Sequence, residues 1–328
     1  MIKLRKTIFY TFLLMGGLFG HQSAEAACTA SVTGLNFGEI DPVNLQPLLN
    51  ENPSAQLNYE CTGSISLLTN KYVCIEIHPT GSDIIPRKLS HTSSSSNIDF
   101  QIYMDAARSK VWGYRFGNSV YPPMIIDHGR VLVSVGGAKG SLPIYGRLLA
   151  SSGDLMSKPY GSYTATMSIR VKMSSLAVLG LGACSFSSDT TTTTLTATAN
   201  IQKTCNVSAT TLDFGVQPSN FSGPINATSQ INTHCANGTD YQIALNNGLH
   251  SVGNTRRMKS ADGDYIPYEL YNNPQRTQRW GETLNTAETK KLTSTGHAHQ
   301  SIVYGQVPQT QGLAAAQYKD TIMVTVTY

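Results

Sequence analysis

One module occurs twice in this chain, and that repeat constrains the fold more than any other feature. Cys28-Thr-Ala-Ser-Val-Thr-Gly-Leu-Asn-Phe37-Gly38 returns as Cys205-Asn-Val-Ser-Ala-Thr-Thr-Leu-Asp-Phe214-Gly215. A second cysteine follows in each copy, Cys61 and Cys235. Tyr103 with Trp112-Gly113 then corresponds to Tyr271 with Trp280-Gly281, and Ile144-Tyr145-Gly146 corresponds to Val303-Tyr304-Gly305. The last matching stretches begin at Tyr163 and Tyr318. There Met167, Ile169 and Val171 alternate with Thr166, Ser168 and Arg170, the period of a half-buried strand. Short strands, frequent Gly, Asn and Pro turns and no amphipathic helix predict an all-β protein. The expected architecture is two immunoglobulin-like antiparallel β-sandwich domains in tandem.

The first residues set the compartment. Lys3, Arg5 and Lys6 precede an apolar run from Ile8 to Phe19, and Ala24-Glu25-Ala26 is a small-x-small cleavage pattern, so 1–26 reads as a signal peptide. The apolar run falls short of the ~20 residues that span a bilayer. Six cysteines, all beyond the leader, suit an oxidising compartment and three disulfides. The repeat makes Cys28–Cys61 and Cys205–Cys235 equivalent bridges and leaves Cys74 and Cys184 as a third pair. Only 13% of residues are charged, and part of the net charge of +4 lies in the leader. With no basic cluster interleaved with aromatics, nucleic acid is not an expected partner.

The two copies end differently. The first runs on past Val171 into 191–203, where Leu195, Ala197, Ala199 and Ile201 alternate with Thr196, Thr198 and Asn200. That is a further strand, suited to completing a sandwich. The second copy stops at Tyr328, on its last matched strand, and is expected to lack the final one. A sandwich without an edge strand exposes apolar groove and unpaired backbone, and takes a strand from elsewhere. The expected division is 27–190 as a first domain, 191–203 as the linker strand completing it in cis, and 204–328 as a second domain completed by another chain. The module begins just after the cleavage site, so no donor extension is expected and the chain is read as terminal in a polymer.

In order and spacing these motifs resemble the spore coat U domain family, the subunits of archaic, Csu-type chaperone–usher pili. The resemblance covers nearly the whole mature chain. Two domains without a donor extension are similar to the tip-adhesin members of that family. It implies export through the periplasm to a pilus tip on the cell surface, with attachment in biofilm formation. The partners it implies are a periplasmic pilus chaperone, an outer-membrane usher and an adjacent pilus subunit that donates a strand.

Comparing the copies shows what the first one adds. Its extra segments carry Ile65, Leu67 and Leu68; Val120, Tyr121, Pro122, Met124, Ile125 and Ile126; and Leu176, Val178, Leu179 and Leu181. As B–C, D–E and F–G loops they are expected to cluster at one pole, with Cys74–Cys184 fixing the base of the third. Loops are normally polar, so this pole is expected to bind an abiotic or host surface through exposed apolar side chains. A glycan-binding lectin is the alternative, with Trp112, Tyr114 and Tyr121 as rings that stack on a sugar, although the match of Trp112 to Trp280 favours a shared structural role. A structural pilus or coat subunit is a further alternative. No enzyme, cofactor or metal site is expected: His297 and His299 lack accompanying ligands, and Asp99, Asp105 and Asp127 are scattered through turns and strands.

Overall fold

The structure, a computed structural model, describes residues 27–44, 53–62, 70–79, 86–114, 121–130, 137–174, 189–309 and 312–328. The first module consists of β1 (Cys28–Val32), β2 (Leu35–Ile40), β3 (Ser54–Cys61), β4 (Asn70–Pro79), β5 (Arg87–His91) and β6 (Asn97–Tyr103). It continues with β7 (Met124–Arg130), β8 (Ala138–Leu148), a short helix α1 (Ser152–Ser157), β9 (Gly161–Ser174) and β10 (Asp189–Ile201). Hydrogen bonding runs in the order β1-β3-β8-β6-β5-β9-β10-β2, with β4 joined to β9 and β7 to β4. β9 ties the two layers together. Its first residues pair with β5, and Met167 to Ser174 pair with β4.

In the second module β11 (Cys205–Ala209), β12 (Ile225–Cys235), β13 (Asp240–Leu245) and β14 (Arg256–Lys259) are followed by β15 (Tyr265–Tyr271), β16 (Lys290–Thr293), β17 (His299–Val307) and β18 (Val324–Thr327). Two sheets result, β11-β12-β17-β15-β14 and β16-β13-β18. The chain is therefore all-β, with two sandwiches in tandem. Among the described residues one short helix, α1, departs from the expectation of none. Its Ser151 and Asp154 cap one another reciprocally, a local signal that hydrophobic periodicity does not register.

Each module has its own core, and the repeated motifs build both in the same way. Cys28–Cys61 and Cys205–Cys235 are bonded across directly opposed residues of the first two paired strands. Trp112 and Trp280 are fully buried, and their indole N–H groups donate to the carbonyls of Ile75 (3.0 Å) and Ile243 (2.9 Å). Trp112 is thus core, unavailable for stacking on a sugar.

The repeat also holds arginines that sequence reading missed. Arg87 lies buried and donates to the Trp112 carbonyl (2.7 Å) and to Gln101; Arg256 donates to the Trp280 carbonyl (2.7 Å), the Leu245 carbonyl and Glu269. Burial pushes the Arg87 pKa down to about 10. Arg108 and Arg276, both in the left-handed region at φ 53°, each reach a glycine carbonyl, Gly146 and Gly305.

Those two glycines show why the Tyr-Gly motif recurs. A Cβ on Gly146 would meet Leu35 at 2.8 Å and Phe37 at 3.0 Å, and one on Gly305 would meet Leu212 at 2.7 Å and Phe214 at 3.1 Å. Valine at Gly146 is expected to cost about 1–3 kcal/mol, because Leu35 and Phe37 are held in place by the rest of the core. Valine at Gly305 costs less, because Leu212 and Phe214 are half-exposed and have room to move. Urea titration followed by Trp112 and Trp280 emission checks the difference.

Candidate functional site

The difference between the modules lies where β10 runs. β10 sits between β9, antiparallel over thirteen residue pairs, and β2, to which it runs parallel. Its inward side chains Leu195, Ala197, Ala199 and Ile201 are buried at 0%, 0%, 3% and 1% exposure. Among the described residues β2 pairs with no other strand, so its ladder hydrogen bonding depends on β10.

No strand occupies the equivalent place in the second module among the described residues. The counterpart of β2, Leu212 to Val216, accordingly forms no strand although its sequence matches. Leu35 and Phe37 are buried, but Leu212 and Phe214 are half-exposed. Tyr163, Met167, Ile169 and Val171 are buried, but Tyr318, Ile322, Val324 and Val326 are half-exposed. An open groove of about 560 Å³ results, lined among others by Leu212, Phe214, Ile225, Met258, Ile266 and Tyr318. Phe214 meets the ring of Tyr268 edge-on, and the Tyr268 hydroxyl donates to Asp320 at 2.7 Å. Burial and that hydrogen bond push the Tyr268 pKa well above the ordinary tyrosine range. A carboxylate thus stands where the first module has Ala165, facing Ala197 of β10.

The apolar segments distribute less simply. Ile65, Leu67, Leu68, Val120, Leu176, Val178, Leu179, Leu181 and Cys184 lie outside the described residues, as does the leader. Cys74 is disulfide-bonded. Tyr121 is half-buried, and the Pro122 carbonyl accepts from Gly113 at 3.1 Å. Met124, Ile125 and Ile126 are in the edge strand β7 rather than a loop, opposite Ile75, Cys74 and Val73. Met124 and Ile126 pack against the core, while Ile125 is 38% exposed. Pairing with β4 turns these side chains alternately toward the core and toward solvent, which the apolar sequence of the insertion does not itself display.

The register nonetheless brings three chain exits together at the end of the first module away from Ile201. Asn70 faces Arg130, Tyr72 faces Ser174, Cys61 faces Ala138, and Met173 faces Asp189. The segments joined there are 63–69, 131–136 and 175–188. Of these, 131–136 reads Val131-Leu-Val-Ser-Val-Gly136, an apolar run that the comparison of the two copies did not single out. On the outer face of β4 and β9, buried Glu76 is held by Lys172 (2.9 Å) and His78 (3.1 Å), and His78 stacks on Tyr114. Burial raises the Glu76 pKa, but the hydrogen bonds from Lys172 and His78 outweigh it and leave the pKa below the usual range. His297 and His299 are exposed, and no metal-binding group of residues occurs among the described residues.

A duplicated β-sandwich with one groove filled by its own chain and one open defines a modular all-β protein of two like domains. The Spore Coat Protein U domain model matches residues 20–170 and 191–325, and the chain belongs to that family. It is 30% identical to Protein U of Myxococcus xanthus over 146 residues, 40% of this chain and 80% of that protein. Among solved structures it is similar to the CsuC–CsuE chaperone–tip adhesion subunit pre-assembly complex of Acinetobacter baumannii (TM-score 0.49, 20% identity, 92% of this chain and 100% of that one). It is also similar to the CupB6 tip adhesin of Pseudomonas aeruginosa (TM-score 0.37, 12% identity, 92% and 93%).

Proposed function

We propose that this chain is the tip adhesin of a chaperone–usher pilus, exported to the cell surface and mediating attachment and biofilm formation. One observation carries the reading: matched residues that are sealed under β10 in the first module lie open in the second. The second domain (204–328) is an acceptor for a strand from the adjacent subunit. The first domain (27–190), completed by the linker strand 191–203, needs none and presents the apolar pole to an abiotic or host surface. A periplasmic chaperone and an outer-membrane usher are the assembly partners expected of this family. Fully burying one Leu or Ile side chain is worth about 1.5–3 kcal/mol, so several at one pole hold weakly and many pili multiply the hold.

One experiment separates the two halves of the reading. Cells carrying the wild type, Leu212→Asp or the pair Leu68→Asn with Leu179→Asn are compared for surface display and for adhesion to polystyrene. Leu212→Asp places a charge in the groove and is expected to abolish both. The pole variant is expected to be displayed normally and to lose adhesion. Wild-type display of Leu212→Asp would overturn the acceptor role, and full adhesion by the pole variant would move binding to a glycan or protein receptor elsewhere.

A further inference from the structure

The two modules of this chain meet in a defined way. The end of α1 and the bend after it lie against the turn that follows Cys235. The Asn237 amide donates to the Met156 carbonyl (3.1 Å), its side-chain amide donates to the Ser157 carbonyl (2.8 Å), and the Tyr160 amide donates to the Asn237 carbonyl (3.3 Å). Pro159 and Asn237 form a parallel bridge. Gly296 comes so close that a Cβ there would sit 2.6 Å from the Met156 carbonyl oxygen. β10 leaves its groove beside this contact, Ile201 opposite Gly161, and Lys203 places its ammonium 4.5 Å from the Tyr160 ring centre. The strand that fills a groove and the module that follows it are therefore positioned together.

The second module repeats the receiving side. α1 is tied down by the Ser152 hydroxyl, which donates to the Pro42 carbonyl (2.7 Å). The segment Gly312–Gln317 is tied down in the same place: the Leu313 amide donates to the Ser219 carbonyl (3.3 Å), and the Gly312 amide donates to the Asn220 side chain (2.7 Å). Pro42 and Ser219 stand at the same offset from the matched residues Phe37 and Phe214. Counting back from the matched Tyr163 and Tyr318, Pro159 and Tyr160 correspond to Ala314 and Ala315. Both alanines are exposed, and they flank the mouth of the open groove.

We infer that Gly312–Gln317 is the docking surface for the body of the subunit that fills the groove, and that this junction copies the one inside the chain. The partner is another U-domain chain, and it presents the turn following the second cysteine of its first cysteine pair, the counterpart of Asn237. In this chain's own first domain the sequence after Cys61 reads Thr62-Gly63-Ser64, without an asparagine, so a second copy is the poorer match. The inference rests on the acceptor reading above, and its test separates the two. A photo-crosslinking phenylalanine derivative is placed in the full chain at Ala315, with Ala314 as a second position, in cells assembling the protein with its natural partners. A separate variant carries it at Val216, whose counterpart Glu39 lies opposite Asn200 of β10. Surface display equal to wild type shows that each variant folds.

Irradiation is expected to shift this chain's band from both positions to the summed mass of two subunits. Mass spectrometry is expected to map the Val216 adduct to the partner's strand and the Ala315 adduct to the turn after its cysteine. Adducts from Val216 with none from Ala315 or Ala314 would overturn the docking surface and leave strand acceptance standing. An alanine adduct mapped to any other place, including this chain itself, would also overturn it. No adduct from any position would remove the acceptor reading as well.

Discussion

The mature chain on its own is expected to unfold in two steps, the second domain first, and a peptide of residues 189–202 is expected to close much of the gap. The two tryptophans, one in each core, report the steps separately, and Trp112→Phe and Trp280→Phe assign them. The physical reason is the difference between a strand supplied in cis and one that is absent. In the first module a leucine, two alanines and an isoleucine are buried along β10, and the two large side chains alone contribute about 3–6 kcal/mol. β10 is covalently attached, so no translational freedom is lost in placing it. The second module has lining residues at the matching positions without the strand, and its matched apolar side chains remain half in water. A peptide in trans must lose translational freedom and order its backbone, so its net gain is smaller. At a hundredfold excess over its dissociation constant, any ligand of the folded state adds about 2.7 kcal/mol. In a domain of this size that is a shift on the order of 10 °C. Two transitions of equal stability, unmoved by the peptide, would mean that the groove is closed in solution.

How much of this was legible in the sequence depends on which residues carried the signal twice. The matched stretch from Tyr163 coincides with β9, and the alternation from Leu195 to Ile201 coincides with β10. Both show because alternation is a local property of a half-buried strand. The phrase Leu-x-Phe-Gly is present in both copies, yet it forms a strand only in the first. No local reading reveals that, because the difference is a hydrogen-bonding neighbour distant in sequence. Arg108 and Arg276 were visible in principle, each four residues before its tryptophan, while Arg87 and Arg256 stand 25 and 24 residues before theirs, one residue out of step. They were passed over because an arginine is read as surface by default, whereas a buried guanidinium that caps several carbonyls is a core device. The insertion from Val120 to Ile126 misled in the opposite direction. Its apolar residues suggested a loop, and instead its later half pairs with β4 as an edge strand. β7 runs from Met124 opposite Ile75 to Arg130 opposite Asn70, and that direction is a property of the pairing that the sequence does not state.

Leu195→Asp is expected to remove the first domain altogether at 25 °C while leaving the second unchanged. Leu195 is fully buried in the core between Met167 of β9 and the β2 side of the sandwich. Losing the side chain costs on the order of 2–5 kcal/mol, and placing an unpaired carboxylate in its position costs several more. The sum is comparable with the whole stability of a domain, about 5–15 kcal/mol. The damage also spreads along a defined route, because among the described strands β2 pairs with β10 alone and carries Leu35, Phe37 and Ile40 into the core. Thr196→Asp, one residue on and facing solvent, keeps the backbone pairing and is expected to change stability by no more than about 0.5 kcal/mol. Emission of Trp112 checks both variants: a red shift for the first and none for the second, with the Trp280 transition at its wild-type position throughout. Buried-type Trp112 emission in Leu195→Asp would mean that the sandwich closes without β10. The open groove of the second module would then be a complete surface rather than a place awaiting a strand.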